Sequence, residues 1–411
     1  MKRLLLFSLC LAAPPIQELV AAPPVLAGDR VAIIGNTFAD QLRIHGYLET
    51  LLNQRSKLSL RNLGWAGDRL TARDRPTGFP TEESTLKEHK TDTIIACFGM
   101  GESFAGEAGL ARFRSDLEGF IATHSGKSYN GESEVRLVLV SPIANEDLGE
   151  LTPALDRRNA ELGAYTGAMR EIATSAGLPF VDLFEPSRYL MEEQAGPNLT
   201  TNGITLNQFG YWALCHVFFE QLTGEVRQAW RLDIDAKAKT GTASGVGLAR
   251  ISTARDVVTF SVEELSPPSL RPPGDPELPP QLASQRDTLV VVNLAPGRYT
   301  LSVDGEEVVT AQDDQWAAGV AIDTSPSHRE AEALRDAIND KNLQFTYSWK
   351  ALNQVHIVGE RKSSPSGRAL PAELVEFNKL ARQREGELTE IAAALPRERR
   401  WQLAPARNTE E

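Results

Sequence analysis

The stretch VAIIGNTFAD, residues 31–40, decides the fold of this chain. Its apolar half ends at Gly35 and is followed by two small polar residues, Asn36 and Thr37. A short apolar run bounded in this way is typical of a buried strand in a parallel sheet. The turn after such a strand lies at the carboxyl edge of the sheet, where open α/β folds hold their ligands. We therefore expect a functional site to begin at Asn36 and Thr37.

The same alternation of short strands and longer helices continues to about residue 224. Apolar runs predict the strands, and apolar residues at helical spacing predict the helices between them. The predicted strands cover 58–68, 93–98, 135–142 and 178–184, and the predicted helices cover 40–56, 82–89, 107–124, 156–176 and 208–222. This order predicts a parallel sheet with helices on both faces, a three-layer α/β/α domain over residues 28–224.

Beyond residue 224 the pattern changes. Apolar and polar residues alternate over 254–264 and 288–311, which predicts a small β module within 225–324, and Asp304-Gly305 is a hairpin turn signal. Residues 267–280 hold seven prolines and are therefore predicted to form a loop. The last part, 325–411, has helical patterns at 328–342 and 372–395, and its polar end is expected to be disordered.

The N-terminal residues 1–27 have the pattern of a secretory signal. A basic start precedes the apolar run LLLFSLCLAA, which is too short to span a bilayer. We expect export, with cleavage before Gly28 and no membrane span afterwards. Cys10 follows a leucine, where a lipoprotein signal has a small residue, so a lipid anchor is not expected.

The composition argues against several classes of partner. The formal net charge is −12 and no cluster of Lys and Arg stands out, which argues against nucleic-acid binding. Cys97 and Cys215 lie in apolar stretches of the mature chain and are predicted to be buried free thiols. No Cys or His pair has metal-ligand spacing, and the turn after the first strand lacks the GxGxxG spacing, so no metal or cofactor is expected.

Four polar segments follow predicted strands or open a predicted helix. They are Gly35-Asn36-Thr37, residues 62–68 (NLGWAGD), residues 99–103 (GMGES) and residues 201–207 (TNGITLN). In this order and at these separations they resemble the motifs of the SGNH (GDSL-type) hydrolase family. The stretches FGMGESFAG and NGITLNQFGYWAL, and the later PGRYTLSVDG, are similar to planctomycete-type SGNH-like proteins with the same C-terminal extension. The resemblance covers nearly the whole chain and implies a flavodoxin-like domain that hydrolyses acyl or acetyl esters, including those of carbohydrates.

Transferred position by position, the resemblance implies a substituted catalytic site. Thr37 stands at the place of the serine nucleophile, and Gly101 at the place of an oxyanion-donating asparagine. Asn202 and Thr205 stand at the places of the catalytic Asp and His, and only Gly67, at the place of the oxyanion glycine, is unchanged. A hydroxyl nucleophile needs a base, and a threonine cannot replace the imidazole that takes its proton. Ordinary serine-esterase chemistry is therefore not expected.

Other residues offer alternatives. Ser103 is a possible displaced nucleophile with Glu102 or Asp68 as its base, although a serine after a strand more often caps a helix. For Thr37 we favour a hydroxyl that hydrogen-bonds the turn and caps the helix that follows it. His45 and His216 are more typical of packed or solvated histidines than of a catalytic base.

Two further features of the predicted turns could contact a ligand. Arg73 and Arg75 could bind an anion over the cleft, although loop arginines are more often solvated or paired. Trp65 could stack on a sugar or pack in the core. Two hypotheses follow. The chain is an exported ester hydrolase, or it is a non-catalytic relative that uses the cleft to bind a small-molecule or carbohydrate ester, or a partner. They are distinguished by whether a His or carboxylate reaches Thr37 or Ser103.

Overall fold

The computed structural model describes residues 23–73, 75, 78–192, 196–350, 363–391 and 395–406. The predicted secretory signal therefore lies almost wholly outside the described residues. Of its last part, Val25 is fully buried in the core and its N–H donates to the carbonyl of Leu222 over 3.0 Å. A mature chain that began at Gly28 would lack this contact.

A five-stranded parallel sheet forms the centre of the first domain. Its strands are β1 (Arg30–Gly35), β2 (Ser59–Asn62), β3 (Thr93–Cys97), β4 (Arg136–Val140) and β5 (Phe180–Val181). Their order, β2-β1-β3-β4-β5, is the flavodoxin-like order, and every neighbouring pair is parallel. Separate apolar clusters cover the two faces, as a sheet buried on both sides requires. The predicted three-layer fold is confirmed.

The helices of this domain lie between these strands and after β5. They are α1 (Thr37–His45), α2 (Tyr47–Arg55), α3 (Glu82–His89), α4 (Gly106–His124), α5 (Leu155–Ala176), α6 (Phe184–Glu192) and α7 (Gln208–Thr223). The prediction of one helix over 40–56 is wrong, because Gly46 ends α1 in the left-handed conformation, with φ at 69°. A Cβ at Gly46 would lie 2.4 Å from the side-chain oxygen of Asn339, an atom that can move aside, so it is the left-handed backbone that favours glycine there. The strand predicted over 178–184 is also too long, since α6 begins at Phe184.

Two β-sheets follow the first domain. Their strands are β6 (Arg231–Asp235), β7 (Thr240–Ser244), β8 (Val246–Ala254), β9 (Val257–Glu264), β10 (Thr288–Val292), β11 (Arg298–Val303), β12 (Glu306–Gln312), β13 (Val320–Ala321) and β14 (Arg397–Pro405), with short helices α8 (Pro280–Ala283) and α9 (Asp313–Ala318). One sheet has the order β13-β10-β6-β7 and the other β12-β11-β14-β9-β8. The hairpin at Asp304-Gly305 is confirmed, because both residues have positive φ and Val303 pairs with Glu306. Residues 267–279 contain no strand, as their prolines predict.

The polar C-terminal end is not disordered between 397 and 405, which corrects the prediction. β14 lies in the centre of its sheet, antiparallel to β11 and to β9. Trp401 and Leu403 point into the core, and Arg400 and Gln402, which alternate with them, face solvent. The local composition looks polar because only two side chains of the strand are buried. The residues it pairs with lie 98 to 145 positions earlier in the chain, so no local signal marks it.

The helical region folds back onto the first domain. α10 (Pro326–Trp349) packs against α11 (Pro365–Ile391), and also against α1, α2 and β2. The ammonium of Lys341, which is fully buried, pairs with Glu49 on α2 and donates to the Leu60 carbonyl over 3.0 Å. Among the described residues, no helix combines the length and apolar character needed to cross a bilayer. The domain limits at 224 and 324 stay predictions.

Candidate functional site

A cavity of about 260 Å³ opens at the carboxyl edge of the parallel sheet. Its wall is formed by the turns after β1, β2, β3 and β4 and by the segment before α7. Most of the lining is apolar, and the charged lining residues are Asp68 and Arg69. Thr37, Gly67, Gly101 and Thr205, four of the five positions transferred from the resemblance, line it together with Asn36. The fold therefore brings these separate motifs to one place.

Thr37 is the first residue of α1, directly after the strand that ends at Gly35. Asn36 is the N-cap, and its side-chain oxygen accepts from the N–H of Phe38 over 3.0 Å. The interpretation of the Thr37 hydroxyl as the cap is therefore wrong, because Asn36 already fills that position. Thr37 lines the cavity instead. A hydroxyl at the start of a helix, facing a cavity, suits contact with a ligand oxygen.

The turn after β2 carries a set of paired charges. Asp68 is buried and accepts from the guanidinium of Arg75 through both carboxylate oxygens, at 3.0 and 2.6 Å. Burial raises the pKa of Asp68, and the hydrogen bonds and charge of Arg75 oppose that rise. The Arg75 guanidinium also lies 4.7 Å from the ring centre of Trp65, and the Lys350 ammonium lies 5.2 Å from it. Arg75 is thus a structural partner rather than a free anion receptor.

Trp65 does not line the cavity. Its ring packs edge-on against Trp349 at 6.5 Å between centroids, and two cations cover it. The packing interpretation of Trp65 therefore fits the structure, and the sugar-stacking interpretation does not. Trp349 itself donates from its indole nitrogen to the Leu63 carbonyl over 3.1 Å. The end of α10 hence supports the turn that carries Asp68.

The turn after β3 is held by Glu102. One carboxylate oxygen accepts from the N–H of Leu70 over 2.8 Å and the other from the N–H of Gly99 over 2.9 Å. Glu102 therefore joins the second turn to the third, and each of its oxygens is engaged by a backbone N–H group. It does not line the cavity.

Ser103 is fully buried and also lies outside the cavity lining. Its hydroxyl donates to the Met100 carbonyl over 2.8 Å and accepts from Arg158 over 2.9 Å. The hypothesis of a displaced serine nucleophile is wrong for this residue, because no substrate can reach it and no base accepts its proton.

The fourth segment, residues 201–207, is a loop held by side-chain hydrogen bonds to its backbone. Asn202 accepts from the N–H groups of Ile204 and Thr205, at 3.1 and 2.8 Å, and does not line the cavity. The buried carboxylate of Glu146 accepts from the backbone N–H groups of Leu199 and Thr200, at 2.8 and 2.7 Å. Thr205 is consequently held at the cavity wall by backbone geometry. No sequence signal pointed to Glu146.

The histidines lie away from this cavity. Five of the six are described, and none of them lines it: His45, His89, His124, His216 and His328. The sixth, His356, lies outside the described residues. His45 stacks on Tyr211 at 4.7 Å between ring centroids, and burial lowers its pKa to about 4. It is a packing residue at the far end of α1, about 12 Å along the helix axis from Thr37 by the rise per residue.

A serine, histidine and aspartate chain does exist elsewhere. Ser325 lies 2.7 Å from Nδ1 of His328, whose Nε2 lies 3.0 Å from the carboxylate of Asp287. A carboxylate only accepts, so Nε2 donates to Asp287, and Nδ1 shares the second hydrogen bond with the serine hydroxyl. All three are almost fully buried, with exposed fractions of 1%, 2% and 1%. No substrate can reach them. These hydrogen bonds join the start of α10 to the residue that precedes β10.

A second serine and histidine pair, Ser59 and His89, lies 2.9 Å apart beside α11. The Ser59 hydroxyl donates to the carboxylate of Glu385 over 2.8 Å, which also accepts from Arg61. The single hydroxyl proton is therefore directed to Glu385, and His89 cannot act as its base. This pair attaches the helical region to the edge strand β2.

The thiols and candidate metal ligands add no chemistry to the cavity. Cys97 and Cys215 are free and buried, as predicted, and burial raises the pKa of each thiol far above its ordinary value. Cys97 lines the cavity but stays protonated at neutral pH. No group of three or more His, Cys, Asp or Glu residues within the described ranges could hold a metal ion.

Sequence reasoning missed several lining residues. Phe38, Phe98, Phe104 and Tyr211 supply much of the apolar wall, and Arg69 supplies the charge. Phe38 and Arg69 directly follow predicted turn residues, so the turns themselves were a usable signal for them. The aromatic residues of the wall come from separate parts of the chain, and only the fold brings them together.

The chain was also compared with known proteins. No family model and no curated protein matches its sequence. Its structure is similar to that of BT4096, a gut microbial diltiazem-metabolizing enzyme, with a TM-score of 0.67 and 16% identity over 94% of this chain and 99% of that one. The two chains share one fold. The agreement covers 94% of this chain, so it extends over the β-sheets and the helical region as well as the three-layer α/β/α domain.

Two other similarities cover half of this chain. A mutant of Axe2, an acetylxylan esterase from Geobacillus stearothermophilus, matches 50% of this chain and 99% of its own, with 15% identity and a TM-score of 0.38. LAE5, an alpha/beta hydrolase enzyme from the metagenome of Lake Arreo, matches 50% of this chain and 100% of its own, with 18% identity and a TM-score of 0.37.

Proposed function

We propose that this protein is a non-catalytic relative of ester hydrolases that binds a small, largely apolar ligand in the cavity at the sheet edge. The proposal keeps the hydrolase fold and the place of the site but not the reaction. The second hypothesis, ester hydrolysis by a substituted triad, is its direct competitor.

The lining of the cavity carries the proposal. The part of the lining formed by described residues contains no histidine, and its only carboxylate, Asp68, has both oxygens on Arg75. Thr37 therefore faces a cavity in which no group is placed to take its proton. General-base assistance and the triad together supply several orders of magnitude of rate in enzymes of this kind. Without a general base, the cavity can still bind a ligand.

The chemistry of the wall defines the ligand class. Rings from Phe38, Phe98 and Tyr211 favour an acyl chain or an aryl group, because each buries apolar surface on contact. The hydroxyls of Thr37 and Thr205 can hydrogen-bond a carbonyl oxygen. A volume of about 260 Å³ is below the usual range for drug-sized ligands, so the ligand is small.

The test uses the purified full chain and a panel of short-chain aryl esters and acetylated sugars. We expect no turnover above that of buffer, and binding that stabilises the protein in thermal denaturation as ligand concentration rises. The variants Thr37→Ala and Ser103→Ala are measured beside the parent chain. Ester turnover that disappears in Thr37→Ala would overturn the proposal and restore the hydrolase hypothesis.

A rebuilt variant makes the test sharper. Thr37→Ser, Asn202→Asp and Thr205→His together restore the side chains that the resemblance implies. Asn202 and Thr205 are partly or fully exposed, so these changes leave the core intact. We expect the triple variant to gain measurable ester turnover that the parent lacks. Turnover above that of buffer in the parent, equal to that of the triple variant, would show that the parent already hydrolyses esters.

We also propose that the protein is exported. The proposal rests on the basic and apolar start of the sequence, whose residues lie outside those described. Expression of the full-length chain in a Gram-negative host, followed by fractionation and N-terminal sequencing, tests it. Recovery of the uncleaved chain in the cytoplasm would refute export.

A further inference from the structure

Arg69 stands apart from the other two arginines of its loop. Arg73 pairs with Glu82 at 3.3 Å and lies 5.0 Å from the ring centre of Phe120. Arg75 is held by Asp68 at 2.6 Å. Arg69 lines the cavity, is exposed, and forms no ion pair with any residue in the described part of the chain. An unpaired guanidinium at the rim of an apolar cavity is available to a ligand.

The side chain of Arg69 lies over Gly101. A Cβ placed on Gly101 would be 3.4 Å from both Cγ and Nε of Arg69, which is ordinary van der Waals contact. The arginine side chain therefore lies directly against position 101. The position at which the resemblance implies a neutral amide donor is thus overlaid by a cation.

The positive charge of Arg69 is not neutralised by the charged groups around it. Asp68, the carboxylate that shares the lining, is matched by Arg75 through two hydrogen bonds. Glu102, next in sequence to Gly101, directs its two oxygens to backbone N–H groups, away from the cavity lining. The N-terminus of α1 also faces this space and adds a partial positive charge. The cavity as a whole favours an anion at the Arg69 end and apolar groups elsewhere.

We propose that the cavity binds a small apolar carboxylic acid in its ionised form, with Arg69 as the residue that holds the carboxylate. The inference rests on the proposed function, since it names the ligand class of the same non-catalytic site. Arg69 can donate two parallel N–H hydrogen bonds to a carboxylate, while the aromatic wall takes the chain or ring. An ester or an amide of the same acid is neutral and lacks the second carboxylate oxygen that would accept from Arg69.

The experiment compares hexanoate with hexanamide, two probes that differ only in the head group. Binding to the full chain is measured by calorimetry at pH 8. We expect hexanoate to bind more tightly, and Arg69→Gln to weaken it about 10- to 100-fold, as the loss of a charge-assisted bidentate contact implies. Arg69→Gln should change hexanamide affinity less than about twofold, and Arg69→Lys should recover part of the hexanoate affinity.

The matched control is Arg112→Gln, which removes the same charge from a side chain that is 81% exposed on α4 and does not line the cavity. It should leave both affinities unchanged. Equal affinity for the two probes, or an equal loss of both in Arg69→Gln, would overturn the inference and leave the binding function standing. If neither probe binds and the short-chain esters are hydrolysed, the proposed function fails as well.

Discussion

Replacement of His216 by leucine should stabilise the protein, and more so in acid. His216 lies on α7 among core residues, and neither ring nitrogen has a hydrogen-bond partner among the described residues. Burial, and to a lesser extent the charge of Arg227, lowers its pKa from 6.5 to about 3. Above pH 6.5 the ring is neutral in both states. As the pH falls below 6.5, the histidine is protonated in the unfolded chain but stays neutral in the native protein. The free energy of unfolding therefore decreases.

The magnitude follows from the two pKa values. At pH 5 the unfolded histidine binds a proton almost completely and the native one does not, which costs about 2 kcal/mol relative to pH 8. This figure depends little on the native value, because any native pKa well below 5 gives the same result. Removal of a buried imidazole without partners adds roughly 1 kcal/mol of stability at every pH. His216→Leu should therefore gain about 1 kcal/mol at pH 8 and about 3 kcal/mol at pH 5.

Urea unfolding at pH 8 and pH 5, followed by tryptophan fluorescence, measures both values. The control is Phe219→Leu, a core change on the same helix that adds no titratable group and should shift stability equally at the two pH values. Other buried histidines contribute to the pH dependence of parent and variant alike, so they cancel in the comparison. The reasoning is refuted if His216→Leu loses as much stability between pH 8 and pH 5 as the parent chain does.

Three further changes test the supports of the site. Lys341→Met should destabilise the chain by about 3–5 kcal/mol in urea, because it leaves the Glu49 carboxylate buried without its cation, and Glu49→Gln in the same chain should recover part of the loss. Glu146→Gln should cost about 1–3 kcal/mol and weaken ligand binding, since an amide oxygen cannot accept all the hydrogen bonds that hold the Thr200 loop. Unchanged stability in either case contradicts these roles. Ser103→Ala should cost about 1 kcal/mol in thermal unfolding and leave ligand affinity unchanged, whereas a loss of binding would place Ser103 at the site.

The first domain was predictable because its signals are local. Each strand is a short apolar run, each turn is marked by glycine or asparagine, and the helices repeat their apolar residues at a fixed spacing. Parallel strands align their carboxyl ends, so Thr37, Gly67 and Gly101 had to meet at one edge of the sheet once the fold was right. The threonine at position 205 cannot replace an imidazole base, so the sequence also argued against ordinary serine-esterase chemistry.

The rest required contacts between distant parts of the chain. β14 is a strand because β9 and β11 offer it partners and a core for Trp401, which nothing in its own composition announces. Arg75 is paired because the fold buries Asp68 beside it. The sequence alone determined which turns stand at the sheet edge, since local patterns set the strands and their turns. Only the tertiary structure decided which charge remains free there, because pairing depends on which side chains the fold brings within a few ångströms of one another.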